Sequence, residues 1–173
     1  MRVDHLDTQR LGQYLTDQNI LEVGDIRAEK FPGGQSNPTF LVTIDDKHYV
    51  LRRKPPGQLL KSAHAIDREY RVMAALAKVN FAVPNMLHYC RDETAIGSEF
   101  YLMEHVEGRI FWAPSLPELS TDQRANIFDA MNKTLAELHS LDINALGLAD
   151  YSRRGEGYFE RQLALWIKQY RAA

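Results

Sequence analysis

Cysteine is almost absent: Cys90 is the only one in 173 residues. No internal disulfide can form, and a reducing compartment is the expected setting. Long apolar runs are missing too. No stretch approaches the roughly 20 apolar residues that a membrane-spanning helix needs, and the opening MRVDHLDTQR lacks the apolar centre of a secretory signal. Charge of one sign is also lacking, since 21 Lys and Arg against 23 Asp and Glu leave a net −2. That balance provides no general field for collecting nucleic acid or anionic membrane. The longest basic run, Arg52-Arg53-Lys54, is too short for a nucleic-acid arm. Histidines stand at 5, 48, 64, 88, 105 and 139 with no i, i+4 pair, so a zinc helix has no support. These absences point to a cytoplasmic chain without a metal site of its own and without nucleic acid or membrane among its partners.

What is present is ordinary for a globular protein: 45% apolar and 25% charged residues. The length suits one domain or two small lobes. LDTQRLGQYLTDQN predicts a short helix capped by Asp7, with Leu11, Tyr14 and Leu15 on one face, in a region that Gly24 closes. IRAEKF, FLVTI and YVLRRK are β-prone runs joined by compact turns, Asp45-Asp46 among them, and predict an antiparallel meander. Pro55-Pro56-Gly57 breaks regular structure. From Ser62, a good N-cap, a helix is expected with Ile66, Tyr70, Met73 and Ala77 at helical spacing. NMLHYC and EFYLMEHV read as two further strands separated by the polar RDETAIGS. Past EGR the pattern becomes helical. Ser120 with Gln123 has the capping-box signature before Ile127, Met131, Leu135 and Leu138, and a last helix from about Tyr158 carries Phe159, Leu163, Trp166 and Tyr170. The boundary between the two parts falls near Val106-Glu107-Gly108.

Four elements carry candidate chemistry. In FPGGQSNPTF, Gly33 and Gly34 remove the Cβ crowding that keeps backbone N–H groups from closing on a phosphate, and Gln35, Ser36 and Asn37 complete the tip, the last two adding side-chain donors. Read alone, the stretch also fits an ordinary surface turn. On the next strand, Arg52 stands where a nucleotide kinase needs a cation aimed at the α- and β-phosphates, with Val50 on the same face. Lys54 and Arg53 compete for that role, although strand alternation turns Arg53 away. Glu69, in DREY, lies on the sheet-facing edge of the following helix and can fix that cation, whereas Arg68 and Arg71 read as solvated helix charges. Finally, FYLMEHVEG is a strand ending in a polar linker. The Glu104 carbonyl and Val106 amide there can read an adenine edge, with Met103 behind the base.

In this order the elements resemble the aminoglycoside phosphotransferase and choline kinase group of small-molecule phosphotransferases, in particular the branch fused to acyl-CoA dehydrogenases. FPGGQSNPTFLV, YVLRRKPPG, DREYRVMAAL, YLMEHVEGR, LAELHSLD and YFERQLALWIKQY carry the likeness. The resemblance implies an α+β, protein-kinase-like nucleotide lobe over residues 1–105, a five-stranded antiparallel sheet with one inserted helix. Residues 106–173 would hold the hinge and the first helices of a second, incomplete lobe. It implies ATP as cofactor, and Mg²⁺ in the parent protein. It also implies a small-molecule hydroxyl acceptor, with hydroxyacyl thioesters suggested by the fused relatives and amino alcohols or aminoglycosides open.

The family's catalytic loop, His-Gly-Asp with an Asn five residues after the Asp, and the later Mg²⁺-binding Asp are not found. HSLDIN at 139–144 has its Asp and Asn only two apart at a helix end, where His139 is expected to be packed. No catalytic or metal-binding residue is therefore assigned, and the chain by itself is expected to be inactive. The alternative reading is a non-catalytic nucleotide-binding or oligomerisation module. The apolar stripe of the last helix, which needs a partner surface, supports a homo-oligomer. Phe40, Val42, Ile44, Val50, Ile66, Met73, Leu102 and Met103 are the expected core between the sheet and its helix.

Overall fold

The computed structural model describes residues 5–32, 37–55, 65–151 and 157–172. Ser62, Pro56 and Gly57 lie outside them, as do Gly33, Gly34, Gln35 and Ser36 of the Gly-rich stretch.

Helix α1, Thr8–Asp17, starts as its sequence demands: the Asp7 carboxylate accepts the Arg10 amide at 3.0 Å. Leu11 and Leu15, one turn apart, are completely buried. The helix ends at Asp17, earlier than Gly24, and Asn19 takes a left-handed φ of 53° just beyond it. Gly24 has a different purpose. A Cβ there would run into the Asp45 carboxylate, the group that accepts the Asp25 amide and anchors the Asp45-Asp46 hairpin.

Strands β1 (Ile26–Lys30), β2 (Thr39–Ile44), β3 (Lys47–Arg53), β4 (Met86–Cys90) and β5 (Phe100–Glu104) form one sheet in the order β1-β2-β3-β5-β4. All neighbours are antiparallel. Helix α2, Ile66–Ala77, follows β3 as expected, but it starts at Ile66 with Ala65 in the cap position and no side-chain cap, not after Ser62. A four-residue helix, α3 (Glu93–Ile96), stands where the sequence suggested only a polar connector. Asp92 caps it, Gly97 at φ 87° ends it, and Ile96 is buried in the core.

Register sorts the sheet residues by face, because directly opposed residues project from the same side. Phe40, Leu51 and Leu102 are opposed across β2, β3 and β5, and Val42, Ile44, Phe100 and Cys90 share their side. This face packs with Leu6, Leu11, Leu15 and Ile96 into the main core. Each large apolar side chain buried there contributes about 1.5–3 kcal/mol. Thr39, Leu41, Val50, Arg52, Tyr101 and Met103 occupy the other face, which meets α2. Of the eight expected core residues, six are buried, while Met73 and Met103 are only half-buried. Their location also differs from expectation. Phe40, Val42, Ile44 and Leu102 turn away from α2 into the α1–α3 core. A period-two strand must bury one face on each side, and α1 covers the side that sequence reasoning left open.

Arg53 alternates away from α2 as expected, yet it is fully buried. Its guanidinium lies 5.2 Å from the Phe40 ring centre and donates to the His5 carbonyl at 2.9 Å, which ties the N-terminal segment to the sheet.

No strand follows Glu104 among the described residues. Helix α4, Thr121–His139, opens on the expected capping box: Ser120 Oγ accepts the Gln123 amide and Gln123 Oε1 accepts the Ser120 amide at 3.0 Å. Its stripe is largely uncovered, with Met131 60% and Leu135 51% exposed, and His139 is exposed, not packed. Helix α5, Tyr158–Ala172, presents Phe159, Leu163, Trp166 and Tyr170 to solvent. No helix of the described residues is long and apolar enough to cross a membrane.

Candidate functional site

On the α2 side of the sheet, one row of opposed residues runs Thr39, Arg52, Tyr101 across β2, β3 and β5. The first turn of α2 places Glu69 against it. Arg52 Nε donates to Glu69 Oε2 at 2.7 Å and Nη2 reaches Oε1 at 3.5 Å, a two-point ion pair. Arg52 Nη1 donates to Thr39 Oγ1 at 2.9 Å and to the Asn37 carbonyl at 3.4 Å. Glu69 also accepts from Asn37 Nδ2 at 3.2 Å and from the Tyr101 hydroxyl at 3.1 Å. Burial, and then the nearby Glu69 carboxylate, push the Tyr101 hydroxyl well above its ordinary pKa, so it stays a donor.

A guanidinium has five N–H donors. Four are used in the contacts above, which leaves one Nη2 hydrogen without a partner among the described residues and able to meet an incoming anion. The Arg52 side chain keeps 27% of its surface exposed, so such an anion has access. The neighbouring cations are engaged elsewhere. Lys54 pairs with Glu99 at 2.8 Å, and Arg53 lies on the opposite face. Burial raises the Glu99 carboxyl, but Lys54 and the Tyr89 hydroxyl outweigh it and hold the group below its ordinary value.

One step along each strand pair comes an apolar row. Val50 opposes both Leu41 and Met103 on the same face. Val50 is buried and Met103 half-buried. At the end of β5 the Glu104 amide donates to the Asn85 carbonyl at 2.9 Å and its carboxylate accepts Asn85 Nδ2 at 2.7 Å. That side chain fixes the strand end. Val106 is 58% exposed, and its amide makes no hydrogen bond among the described residues.

Arg52 pairs with Glu69, and Val50 and Met103 lie on the same sheet face one row away, with Glu104 at the end of β5 and Val106 beyond it. Asn37 differs from its expected place at a loop tip. It is 2% exposed and its amide reaches Glu69, so it braces the ion pair. Thr39 and Tyr101 were missed. Both are direct cross-strand neighbours of Arg52, a relation visible only once the register is known. Arg68 and Arg71 are exposed, as expected for helix charges, but each has a partner: Arg71 pairs with Asp150 and Arg68 lies 4.4 Å over the Tyr151 ring. Among the described residues no group of three or more His, Cys, Asp and Glu side chains stands close enough to hold a metal ion.

The five-stranded antiparallel sheet followed by helices matches the kinase-like N-lobe of a phosphotransferase. Residues 27–173 match the phosphotransferase enzyme family. The chain belongs to that family. It is 52% identical over 144 residues to acyl-CoA dehydrogenase family member 11 of Rattus norvegicus, covering 83% of this chain and 18% of that protein. With the Homo sapiens protein of the same name the identity is 46% over 163 residues, covering 94% of this chain and 21% of the relative. Among solved structures, a putative aminoglycoside phosphotransferase from Ralstonia eutropha JMP134 superposes with a TM-score of 0.78 at 42% identity. That match covers 97% of this chain and 48% of the solved one. The chain therefore spans about a fifth of the length of these curated relatives, 18% and 21%.

Proposed function

We propose that this chain is the ATP-binding half of a small-molecule kinase that transfers the γ-phosphate of ATP to a hydroxyl group. The observation that carries the reading is the Arg52–Glu69 pair at 2.7 Å, partly exposed on the sheet face that meets α2. In this reading Gly33, Gly34, Gln35 and Ser36 cradle phosphate, and Asn37 braces Glu69. Arg52 neutralises charge between the α- and β-phosphates. Val50 and Met103 cover the adenine, whose edge meets the Glu104 carbonyl and Val106 amide. Residues 1–105 form the nucleotide lobe and 106–173 the hinge and first helices of a second lobe. Phosphoryl transfer depends on positioning and charge neutralisation, and Arg52 supplies part of each. Mg²⁺ belongs to the parent protein in this reading, and the described residues supply no ligand cluster for it.

The names of the curated relatives favour a hydroxyacyl thioester as acceptor in the parent protein, and the name of the solved structure favours an aminoglycoside. A cytoplasmic setting goes with the single, buried free thiol of Cys90. Calorimetric titration of the chain with ATP and with adenosine tests the proposal. ATP should bind more tightly than adenosine, and Arg52→Ala should abolish that preference. Equal affinity for the two in the unmodified chain would overturn it.

A second reading rests on the exposed apolar stripes of α4 and α5. They suit a non-catalytic or oligomeric module. A discrete oligomer in light scattering, lost on Trp166→Glu, would favour it, and a monomer would exclude the oligomer.

A further inference from the structure

Helix α2 carries Glu69 in its first turn, and that turn is closed by no side-chain cap, because Ala65 holds the cap position. On its outer side the same turns are gripped by residues 147–151. Arg71 makes a two-point ion pair with Asp150, one arm at 2.9 Å, and donates to the Gly147 carbonyl at 2.6 Å. One turn earlier, the Arg68 guanidinium covers the Tyr151 ring at 4.4 Å and donates to the Tyr151 carbonyl at 3.4 Å. Arg68 and Arg71 are three apart and share one face of α2, flanking Glu69 in sequence.

The gripping segment is itself stapled. The Gly147 amide donates to the Asn144 carbonyl at 3.0 Å, Leu148 to Ile143 at 2.9 Å and Tyr151 to Leu148 at 2.9 Å. Leu148 is buried. Gly147 has φ +67°, and nothing lies within 4 Å of where its Cβ would be. Glycine is required there for conformation, not for space, and the left-handed turn sets the direction of the carbonyl that Arg71 uses.

We propose that residues 147–151 form a latch on α2, in which Arg71 and Arg68 act as positioning residues that keep Glu69 in register with Arg52. The orientation of the phosphate-binding arginine then depends on a segment more than 70 positions away in the chain. The mechanical part stands on these contacts alone, and the consequence for phosphate binding rests on the proposed nucleotide site.

Hydrogen exchange across α2 and titration with ATP and adenosine test the two parts separately. Arg71→Ala should raise exchange in 66–77 about fivefold, as expected for losing one exposed charged grip, with little change elsewhere. ATP affinity should fall about three- to fivefold while adenosine binding holds, a selectivity that general destabilisation would not produce. The exchanged pair Arg71→Asp with Asp150→Arg should recover both. Unchanged α2 exchange in Arg71→Ala, or an equal rise over the whole chain, would overturn the latch. If the unmodified chain binds no ATP, the nucleotide reading fails, and α2 exchange still decides the latch.

Discussion

Replacing Glu69 by glutamine is the most informative single change. It removes the negative charge and keeps an oxygen within reach of Arg52, Asn37 and Tyr101. The side chains of Arg52 and Glu69 are 27% and 37% exposed, so the pair is neither a free surface bridge nor a buried one. Exposed bridges contribute about 0–1 kcal/mol, and breaking a buried one costs about 3–5 kcal/mol. A coupling of about 1–2 kcal/mol between Arg52 and Glu69 is the value this exposure supports. Urea denaturation of Arg52→Met, Glu69→Gln and the double variant measures it. The second readout is nucleotide affinity. An arginine without its acid loses its fixed direction, and ATP binding should weaken about tenfold, about 1.4 kcal/mol. Adenosine binding should not change. Tyr101→Phe sets the scale for the outer hydrogen bond, with about 0.5–1.5 kcal/mol of stability lost. Additive effects of the two charge variants, with coupling under about 0.3 kcal/mol, would show that the pair does not organise the site.

Three further outcomes are expected. Lys54→Ala should leave ATP affinity unchanged within twofold, about 0.4 kcal/mol, because Lys54 serves Glu99; a larger loss by titration would reassign the phosphate cation. His88 is held below its ordinary 6.5 by burial and shares a 3.0 Å hydrogen bond with the Tyr14 hydroxyl, so folding disfavours its charged form. The unfolded chain binds that proton first, so stability is greatest above the unfolded value and falls as pH drops below it toward the folded value. Urea midpoints at pH about 7.5 and about 5.5 should differ less in His88→Gln than in the unmodified chain. Lastly, the 173 residues alone should release no acceptor-dependent ADP, since no Asp/Asn loop is present in them. Turnover that survives repurification and is absent from Arg52→Ala would contradict this.

The local signals in the sequence were enough for most of the elements. Asp7 before Leu11 and Leu15, the Ser120–Gln123 box and the alternation in TFLVTI each act over a few residues. Capping and side-chain period are local physics, so helices α1 and α4 and strand β2 could be read directly. The Arg52–Glu69 pairing was legible for a related reason: strand and helix periodicity each fix the direction of one partner within its own segment. Tertiary structure decided what depends on register and on distance in the chain. Thr39 and Tyr101 join Arg52 only because β2 and β5 pair with β3 at those positions. Arg53 is buried because α1 and the N-terminal segment close over a face whose partner no local pattern names. Helix α3 is too short for periodicity to reveal, and Ile96 earns its place only against α1. Arg71 looked like any helix charge until Asp150, from another part of the chain, came within 2.9 Å. Pairings of this kind follow from long-range packing free energy, which a window of neighbouring residues does not contain.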